Sequence, residues 1–296
     1  KQDNLMEISN LTVRYNTDDA VVHAVNNFNL KLVRGEARGL VGETGAGKTT
    51  LALSILRLLP ERVGEVTGGS IVYDGQELLN LPEAEMLPLR GKRISMIFQD
   101  PMTSLNPTQT VGDQILEVLN LHFPEMTREE KNKRVDEMMT LVGIPPQRKK
   151  SFPHEFSGGM KQRVVIAMAL VAEPELLLAD EPTTALDVTI QAQILELMKQ
   201  LREKFNTSVM LITHDLGVVA QFCDSVSVVY AGRVVEYGPV EVVFQRKENH
   251  PYTAGLFNCI PNLHDDQPRL HPIAGHMADP RVEYKGCCFA DRCEYA

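Results

Sequence analysis

Residues 42–49 carry the feature that most constrains how this chain can fold: a glycine, four further residues, a second glycine, a lysine and a threonine. This pattern binds the phosphates of a nucleoside triphosphate when it lies between a strand and a helix. Residues 37–41 before it form a short apolar run typical of a buried strand, and Leu51, Ile55 and Leu58 after it recur at helical spacing. The alternative is a glycine-rich turn that binds no ligand; the complete pattern in this setting favours the nucleotide site.

The residues of this loop have separate predicted roles. Gly42, Gly45 and Gly47 let the backbone adopt positive φ and bring N–H groups against the phosphates, at a helix N-terminus whose dipole favours an anion. Lys48 is predicted to reach the β- and γ-phosphates, and the Thr49 hydroxyl to bind Mg²⁺. The predicted nucleotide-binding residues of the loop are Gly42, Glu43, Thr44, Gly45, Ala46, Gly47, Lys48, Thr49 and Thr50.

A second motif lies where the apolar run 176–179 ends in Asp180 and Glu181. A buried strand that ends in carboxylates can hold the metal of a bound nucleotide and polarise the attacking water. We therefore expect Asp180 to bind Mg²⁺ and Glu181 to act as the general base. Apolar runs that end in acidic residues are common, so this prediction depends on the loop at 42–49.

Composition argues against some classes of protein. The net charge is −9 and no run is rich in lysine and arginine, which argues against nucleic acid as the main partner. The longest wholly apolar run, 164–172, is shorter than the about 18 residues that span a bilayer. Residues 1–10 lack the apolar core of a signal peptide, so a cytoplasmic location is expected. The 296 residues exceed the about 100–200 of a typical domain, which predicts a main domain with an appendage.

Alternating strand and helix patterns predict an α/β fold, a phosphate-loop NTPase core with a mainly parallel sheet. Apolar and polar residues alternate over 5–14 and 24–33, which predicts an N-terminal antiparallel β layer. Helical periodicity broken by prolines predicts a helical insertion at about 100–158. A change in composition predicts a nucleotide-binding domain over 1–248 and a small, loop-rich, cysteine-containing extension over 249–296.

The segment 156–163, Phe-Ser-Gly-Gly-Met-Lys-Gln-Arg, resembles the signature motif of the ATP-binding cassette (ABC) ATPases. It also precedes the acidic strand, as in that family. The physical chemistry agrees, because Ser157, Gly158 and Gly159 open a predicted helix and offer free N–H groups and a hydroxyl to an anion. The alternative is that Ser-Gly-Gly only caps a helix; the order of the motifs favours the family.

The resemblance implies further roles residue by residue. Gln99 resembles the glutamine that senses metal and water and couples to a membrane partner, Asp187 belongs to the D-loop, and His214 is the switch histidine. Tyr15 resembles the aromatic residue that stacks on adenine. The alternatives are a tyrosine at a sheet edge and a histidine that is an ordinary polar residue at a strand end. The implied catalytic residues are Glu181, His214 and Gln99. The implied magnesium ligands are Thr49, Gln99 and Asp180. The signature adds Ser157, Gly158, Gly159 and Met160 to the nucleotide site.

Four further segments resemble sequences from the branch of this family that imports oligopeptides, dipeptides or nickel, and they are most like its D-type subunit. These segments are 97–107, 165–170, 180–188 and 250–253. The branch implies an ATP-hydrolysing motor, with ATP and Mg²⁺ as ligands, at the cytoplasmic face of the plasma membrane. The implied partners are a second cassette of F type, two transmembrane permeases and, through them, an extracytoplasmic solute-binding protein; no nucleic acid is expected. Two cassettes close head to tail in this family, so an isolated monomer is expected to hydrolyse ATP poorly.

Three alternatives stay open. The same motifs serve importers of nickel or of another small solute. A soluble cassette ATPase that acts on nucleic acid or in cluster assembly would need a basic face or a long coiled-coil insertion, and the insertion between Gln99 and Ser157 is short and broken by prolines. A phosphate-loop kinase or GTPase would need an acceptor site or an Asn-Lys-x-Asp motif, which the sequence lacks.

Residues 286–293 resemble a Gly-Cys-x-Phe-x-x-Arg-Cys element, at which some members of the branch hold a four-iron, four-sulfur cluster. Cys287, Cys288 and Cys293 would supply three thiolates, whereas such a cluster prefers four. Cys259 is a poor fourth candidate. The alternative is that these cysteines are reduced thiols in a loop.

Overall fold

The computed structural model describes residues 3–184, 186–246, 248–259 and 273–296, so Ala185 of the 180–188 segment lies outside the described residues. The chain folds as two compact units. The first comprises residues 1–32, 38–80 and 212–296, and the second comprises 33–37 and 81–211. Within the described ranges, no helix combines the length and apolarity needed to cross a bilayer.

Strands and helices follow one another along the chain. The strands are β1 (Asn4–Asn16), β2 (Val21–Val33), β3 (Ala37–Val41), β4 (Gly64–Tyr73), β5 (Gln76–Glu77), β6 (Ile94–Ile97), β7 (Leu176–Asp180), β8 (Ser208–Thr213), β9 (Ser225–Tyr230) and β10 (Arg233–Pro239). The α-helices are α1 (Lys48–Ile55), α2 (Glu83–Met86), α3 (Pro101–Ser104), α4 (Val111–His122), α5 (Arg128–Leu141), α6 (Gly158–Leu170), α7 (Val188–Phe205), α8 (Leu216–Phe222), α9 (Val240–Gln245) and α10 (Pro251–Asn258).

The N-terminal sheet of the first unit has the strand order β2-β1-β4-β5. β1 and β4 run antiparallel, with a register shift between Ser9 and Thr12. Because a bulge moves the alternation by one residue, Ile8 is buried before it and Leu11 and Val13 after it. The predicted antiparallel β layer is confirmed.

The first unit also contains the strand order β10-β9-β3, in which β9 is antiparallel to β10 and parallel to β3. All of β3 is buried, including Arg38, a charged residue in the run predicted to be apolar. Its guanidinium donates to Ser227 Oγ at 3.3 Å and to the Lys31 carbonyl at 2.9 Å, and it lies 4.3 Å from the centre of the Tyr237 ring. A buried cation is tolerated here because its donors have partners.

The second unit contains the strand order β8-β7-β6, in which β6 and β7 are parallel. Every residue of β7 and β8 is buried, as expected for strands covered on both faces. α6 packs against β6, α4 and α7. Its Val164, Ile166 and Ala167 are therefore wholly buried. The predicted α/β fold with parallel strands is confirmed.

The chain between β6 and β7 is helical in its regular parts, as predicted for the insertion. Thr110 caps α4 by accepting a hydrogen bond from the N–H of Asp113 at 3.2 Å. Thr127 and Glu130 form a capping box at the start of α5. These caps satisfy N–H groups that a helix leaves unpaired at its N-terminus, and so they fix where each helix begins.

The described residues after α9 are mostly loop, as predicted for the extension, and their regular elements are α10 and a 3₁₀ turn at Ala290–Arg292. It nevertheless has buried contacts. Tyr252 and Phe289 of the extension pack on Tyr230 at the end of β9, with ring centres 4.7 and 5.2 Å from that of Tyr230. None of the three side chains is more than 2% exposed. This aromatic cluster, Tyr230, Tyr252 and Phe289, fixes the extension within the first unit.

Candidate nucleotide-binding and hydrolysis site

The phosphate loop at 42–49 connects β3 to α1 in the first unit. Gly45 and Gly47 have φ of 84° and 92°, a conformation that L side chains rarely adopt. Gly42 lies so close to the carbonyl oxygen of Val229 that a Cβ atom would overlap it. The bend of the loop therefore depends on glycine both through its dihedral angles and through this close approach.

Lys48 is the first residue of α1 and is only 7% exposed. Its Nζ donates to the carbonyl oxygens of Gly42 at 2.7 Å and Glu43 at 2.9 Å, so the side chain turns back across the loop. These two hydrogen bonds place the ammonium group against the backbone of the loop, where an anion that enters the loop would meet it. The first N–H groups of α1 have no partners within the helix, so they are available to bind the same anion.

The other loop residues divide into exposed and buried positions. Thr44 and Thr49 are exposed, whereas Ala46 is buried and its carbonyl accepts from the N–H of Gly232 at 3.0 Å. Thr50 lies in the first turn of α1, where its Oγ1 accepts from the Tyr15 hydroxyl at 3.1 Å. Tyr15 is thus brought beside the helix that follows the loop. Tyr15 lies near the end of β1, an inner strand between β2 and β4, where it pairs with Gly64.

The acidic strand end lies in the second unit. Asp180 closes β7 and is 2% exposed, and Glu181 follows it with a φ of 47°. Holding a non-glycine residue in this left-handed region costs about 1–2 kcal/mol. Gln99 Nε2 donates to Glu181 Oε2 at 3.0 Å, and Thr184 Oγ1 donates to the same oxygen at 2.9 Å. Two donors therefore fix the direction of the Glu181 carboxylate. The sequence motif omits Thr184, although its place three residues after Glu181 offered a clue.

The signature residues lie where α6 and α7 begin, also in the second unit. Ser157 is the N-cap residue of α6 and is exposed, and within the described part of the chain its hydroxyl makes no capping hydrogen bond. A Cβ atom on Gly159 would lie 2.6 Å from Ile190 Cγ2. Asp187 caps α7 by accepting from the N–H of Ile190 at 2.9 Å. The fold thus brings Ser157, Gly158, Gly159 and Asp187 to neighbouring helix N-termini, and the hydroxyl of Ser157 is not used as a cap.

Met160 follows in the first turn of α6. Its Sδ accepts a weak hydrogen bond from Arg148 at 3.8 Å, and the Arg148 guanidinium lies 4.3 Å from the centre of the Phe156 ring. These contacts hold the segment just before α6. They give Met160 a structural partner.

His214 follows β8 in the first unit and is exposed. The next residue, Asp215, caps α8 by accepting from the N–H groups of Gly217 at 2.8 Å and Val218 at 3.3 Å. The N–H of Asp215 donates to Thr213 Oγ1 at 3.0 Å. This turn presents the His214 imidazole at the carboxyl end of the strand, where ligands of parallel α/β sheets bind.

The predicted magnesium ligands fit Mg²⁺ by their chemistry. A threonine hydroxyl, a glutamine amide and a carboxylate supply oxygen donors, which Mg²⁺ prefers. Thr49 is exposed at the start of α1, Gln99 is exposed after β6, and Asp180 closes a buried strand. Thr49 and Asp180 thus lie within regular elements, at the start of α1 and the end of β7, and Gln99 lies two residues beyond β6.

The prediction of an iron–sulfur site is not supported. Among the described residues, no group of three or more His, Cys, Asp or Glu side chains could hold a metal ion. Cys287 is exposed, but Cys288 is buried and its Sγ donates to the Tyr230 carbonyl at 3.8 Å. Burial raises the pKa of the Cys288 thiol, whereas a cluster binds thiolates. Cys287 and Cys288 are thus adjacent in sequence, but one thiol is exposed to solvent and the other is buried.

Comparisons with known proteins agree with this geometry. The family described as "ABC transporter" matches residues 25–184. The oligopeptide transport ATP-binding protein OppD of Haemophilus influenzae is 49% identical over 296 residues, which cover 99% of this chain and 90% of that protein. The chain belongs to the ABC transporter family. It is an ATPase of that family, so the kinase and GTPase alternatives are excluded.

Other relatives extend the match. The dipeptide transport ATP-binding protein DppD of Bacillus subtilis is 50% identical over 291 residues, which cover 98% of this ABC ATPase and 86% of that protein. The family described as "Oligopeptide/dipeptide transporter, C-terminal region" matches residues 235–296. Among solved structures, a cassette of the CbiONQ ABC transporter complex from Clostridium perfringens has a TM-score of 0.72 and 30% identity, covering 83% of this chain and 92% of that one. The dimeric structure of a post-hydrolysis state of an ATP-binding cassette with ADP and Pi has a TM-score of 0.71 and 29% identity. The match covers 79% of this chain and 98% of that one.

Proposed function

We propose that this ABC ATPase is the ATP-hydrolysing motor of an importer of dipeptides or oligopeptides. The observation that carries the proposal is the match, at 49 and 50% identity and over nearly the whole chain, to two peptide-transport ATP-binding proteins. The match to the oligopeptide/dipeptide C-terminal region supports it further. The proposed domains remain 1–248, with a helical subdomain at about 100–158, and 249–296, which the change to loop-rich structure after α9 supports.

ATP binding is proposed to use the loop at 42–49. The N–H groups at the start of α1 and the Lys48 ammonium bind the phosphates, and the bonds from Nζ to the Gly42 and Glu43 carbonyls show how close this cation lies to the loop. Tyr15 stacks on the adenine ring while its hydroxyl stays bound to Thr50. Thr49, Gln99 and Asp180 hold Mg²⁺, which when bound neutralises charge on the β- and γ-phosphates.

Hydrolysis is proposed to use Glu181 as the general base that accepts a proton from the attacking water. Gln99 and Thr184 bind one oxygen of the carboxylate, at 3.0 and 2.9 Å, and so orient the group before the water arrives. His214 is proposed to contact the γ-phosphate from the end of β8. Each of these residues lies at the end of a strand or in the turn that follows, where a side chain is held firmly.

The working unit is proposed to be a dimer of cassettes. In it Ser157, Gly158, Gly159 and Met160 of one cassette, with Asp187 of the D-loop, complete the nucleotide site of the other. The exposed Ser157, whose hydroxyl does not cap α6, supports this role, and one structural relative is dimeric. The partner is proposed to be an F-type cassette. Two transmembrane permeases and a solute-binding protein complete the importer, with this subunit peripheral at the cytoplasmic face. No iron–sulfur cluster is part of the proposal, because the environment of Cys288 does not favour one.

The test is a pull-down from detergent-solubilised native membranes, with tagged Glu181→Gln as bait in the presence and absence of ATP. We expect two permeases and a second cassette to co-purify, with recovery of that cassette increased by ATP. Lys48→Ala is the matched bait that should lose the ATP dependence. The ligand bound to the co-purified solute-binding protein is then identified by mass spectrometry.

Each outcome decides between stated alternatives. Peptides on the solute-binding protein support the proposal, whereas nickel or another small solute would change the imported substrate. A second copy of this chain in place of another cassette would replace the heterodimer with a homodimer. Recovery of soluble or nucleic-acid-bound partners alone would contradict the importer.

A further inference from the structure

The C-terminal extension contacts the phosphate loop at Glu43. The Glu43 N–H donates to the Tyr252 hydroxyl oxygen at 2.9 Å, and Arg292 Nη1 donates to Glu43 Oε2 at 3.0 Å. Tyr252 and Arg292 are 209 and 249 residues away in sequence. All three residues lie in the first unit. Two separate parts of the extension thus bind one residue of the loop.

Glu43 is held through each of its three polar groups. Its N–H is bound by Tyr252, its carboxylate by Arg292 and its carbonyl by the Nζ of Lys48, at 2.9, 3.0 and 2.9 Å. Glu43 therefore connects the extension to the lysine proposed to bind the phosphates. A shift of the Glu43 peptide would change the position from which Lys48 meets ATP.

The groups that hold Glu43 are themselves immobilised. The Arg292 side chain is 4% exposed, and its Nε also donates to the Ala274 carbonyl at 2.9 Å. Tyr252 is wholly buried in the aromatic cluster with Tyr230 and Phe289. Burial raises the pKa of the Tyr252 phenol, which therefore stays neutral at physiological pH. The ion pair is partly buried and is therefore screened by salt less than an exposed pair, so the contact persists at cellular ionic strength.

We propose that Arg292 and Tyr252 are positioning residues for ATP binding, which hold Glu43 so that the phosphate loop keeps its binding conformation before ATP arrives. The inference rests on the proposed role of the loop at 42–49 in binding ATP. A loop ordered in advance loses less conformational entropy when its ligand binds, which raises affinity. Loss of the support should therefore raise the Kd and KM for ATP and change kcat less.

The experiment measures binding of a fluorescent ATP analogue to the full chain, together with thermal unfolding. Because hydrogen bonds between charged groups are stronger than those between neutral groups, we expect Arg292→Gln to weaken binding about tenfold or more. Tyr252→Phe keeps the ring and removes the acceptor of the Glu43 N–H, and should weaken binding about threefold. Arg281→Gln is the matched control. Arg281 lies in the same extension, is 66% exposed and pairs with Asp279 at 2.7 Å, so its loss should leave ATP affinity unchanged.

A double-mutant cycle separates positioning from a general loss of stability. If Arg292 acts through Glu43, then Glu43→Gln combined with Arg292→Gln should bind ATP no more weakly than the worse single variant. Additive effects would overturn the inference. The inference would also be overturned if Arg292→Gln and Tyr252→Phe both bound ATP with wild-type affinity while Lys48→Ala lost binding. That result would leave the proposed function unchanged. Wild-type affinity in Lys48→Ala as well would instead overturn the proposed nucleotide site. The KM and kcat of the variants in the assembled importer supply the second readout.

Discussion

The phosphate loop at 42–49 and the acidic strand end at 180–184 are supported in different ways. The loop depends on contacts with distant parts of the chain, since Gly42 lies against the Val229 carbonyl and Glu43 is bound by Tyr252. The acidic strand end is instead supported through hydrogen bonds to one carboxylate oxygen, and Thr184, three residues from Glu181, donates one of them. Gln99, which follows the adjacent strand β6, supplies the second bond from 82 residues away in sequence.

This difference indicates how each region should respond to change. Substitutions at the loop should alter nucleotide affinity and folding together, because the loop is packed into the first unit. Substitutions at the acidic strand end should alter turnover with little effect on affinity, because its hydrogen bonds orient one carboxylate. Four substitutions test whether binding and chemistry separate in this way.

The largest expected effect is that of Glu181→Gln. Removing a general base slows hydrolysis by about 10²–10⁴-fold, whereas the amide keeps the size of the side chain. ATP binding should persist and the cassette pair should stay closed, which size-exclusion chromatography with ATP would detect. Glu196→Gln, on α7 next to Gln200, is a matched control with expected wild-type turnover. Undiminished turnover in Glu181→Gln would remove this residue as the base.

Lys48→Ala is expected to weaken ATP binding about 10–100-fold, because it removes charged hydrogen bonds of about 1.5–3 kcal/mol. Titration with a fluorescent ATP analogue measures the effect. Lys31→Ala is the control, since Lys31 forms an exposed ion pair with Glu7 at 2.8 Å. Equal affinity in the two variants would mean that the loop does not bind the phosphates through Lys48.

Gly42→Ala tests whether packing of the phosphate loop controls both the stability of the protein and its affinity for ATP. The new Cβ would overlap the Val229 carbonyl, and forced overpacking costs about 1–3 kcal/mol. The free energy of unfolding, from denaturant titration, should fall by that amount and ATP affinity should fall with it. Gly68→Ala, at a position where an added Cβ would meet open space, should change neither. A fall in stability without a change in affinity would break the link between loop packing and binding.

The smallest expected effect is that of Thr184→Val, which removes one neutral donor to Glu181. Gln99 still binds the same carboxylate oxygen, so we expect a loss at the low end for bonds to charged groups, about 1.5 kcal/mol, and about a tenfold fall in kcat at unchanged ATP affinity. Thr184→Ser keeps the hydroxyl and should restore most of the rate. If ATP affinity falls instead of kcat, binding and chemistry do not separate at the acidic strand end.

Much of this architecture could be predicted because its determinants are local. The spacing of residue types along the chain is enough to recognise the phosphate loop at 42–49, the apolar run that ends at Glu181 and the amphipathic helices. Burial and charge were harder to assign: Arg38 lies in a strand predicted as apolar, where its partners Ser227 and Tyr237 come from later parts of the chain. No local pattern shows that such partners exist.

The extension shows the same limit more strongly. The sequence placed Arg292 and Tyr252 in short motifs of the tail, without indicating that both contact Glu43. For the cysteines, the resemblance to a cluster-binding element implied that Cys287, Cys288 and Cys293 would supply thiolates to one site, but a sequence motif cannot give the direction of each side chain. The hydrogen bond from Cys288 to the Tyr230 carbonyl is a tertiary contact, and it decides the environment of that thiol.

The close approach of Gly159 to Ile190 has a consequence for how this sequence can diverge. The two residues leave no room for a larger side chain at position 159, since a Cβ atom there would lie 2.6 Å from Ile190 Cγ2. Ile190 is β-branched and has little rotational freedom with which to move away. Substitutions at the two positions are therefore coupled. An alanine at position 159 should be found together with a smaller residue at position 190. These two positions, 31 residues apart in sequence, should accordingly vary as a pair across descendants of this chain.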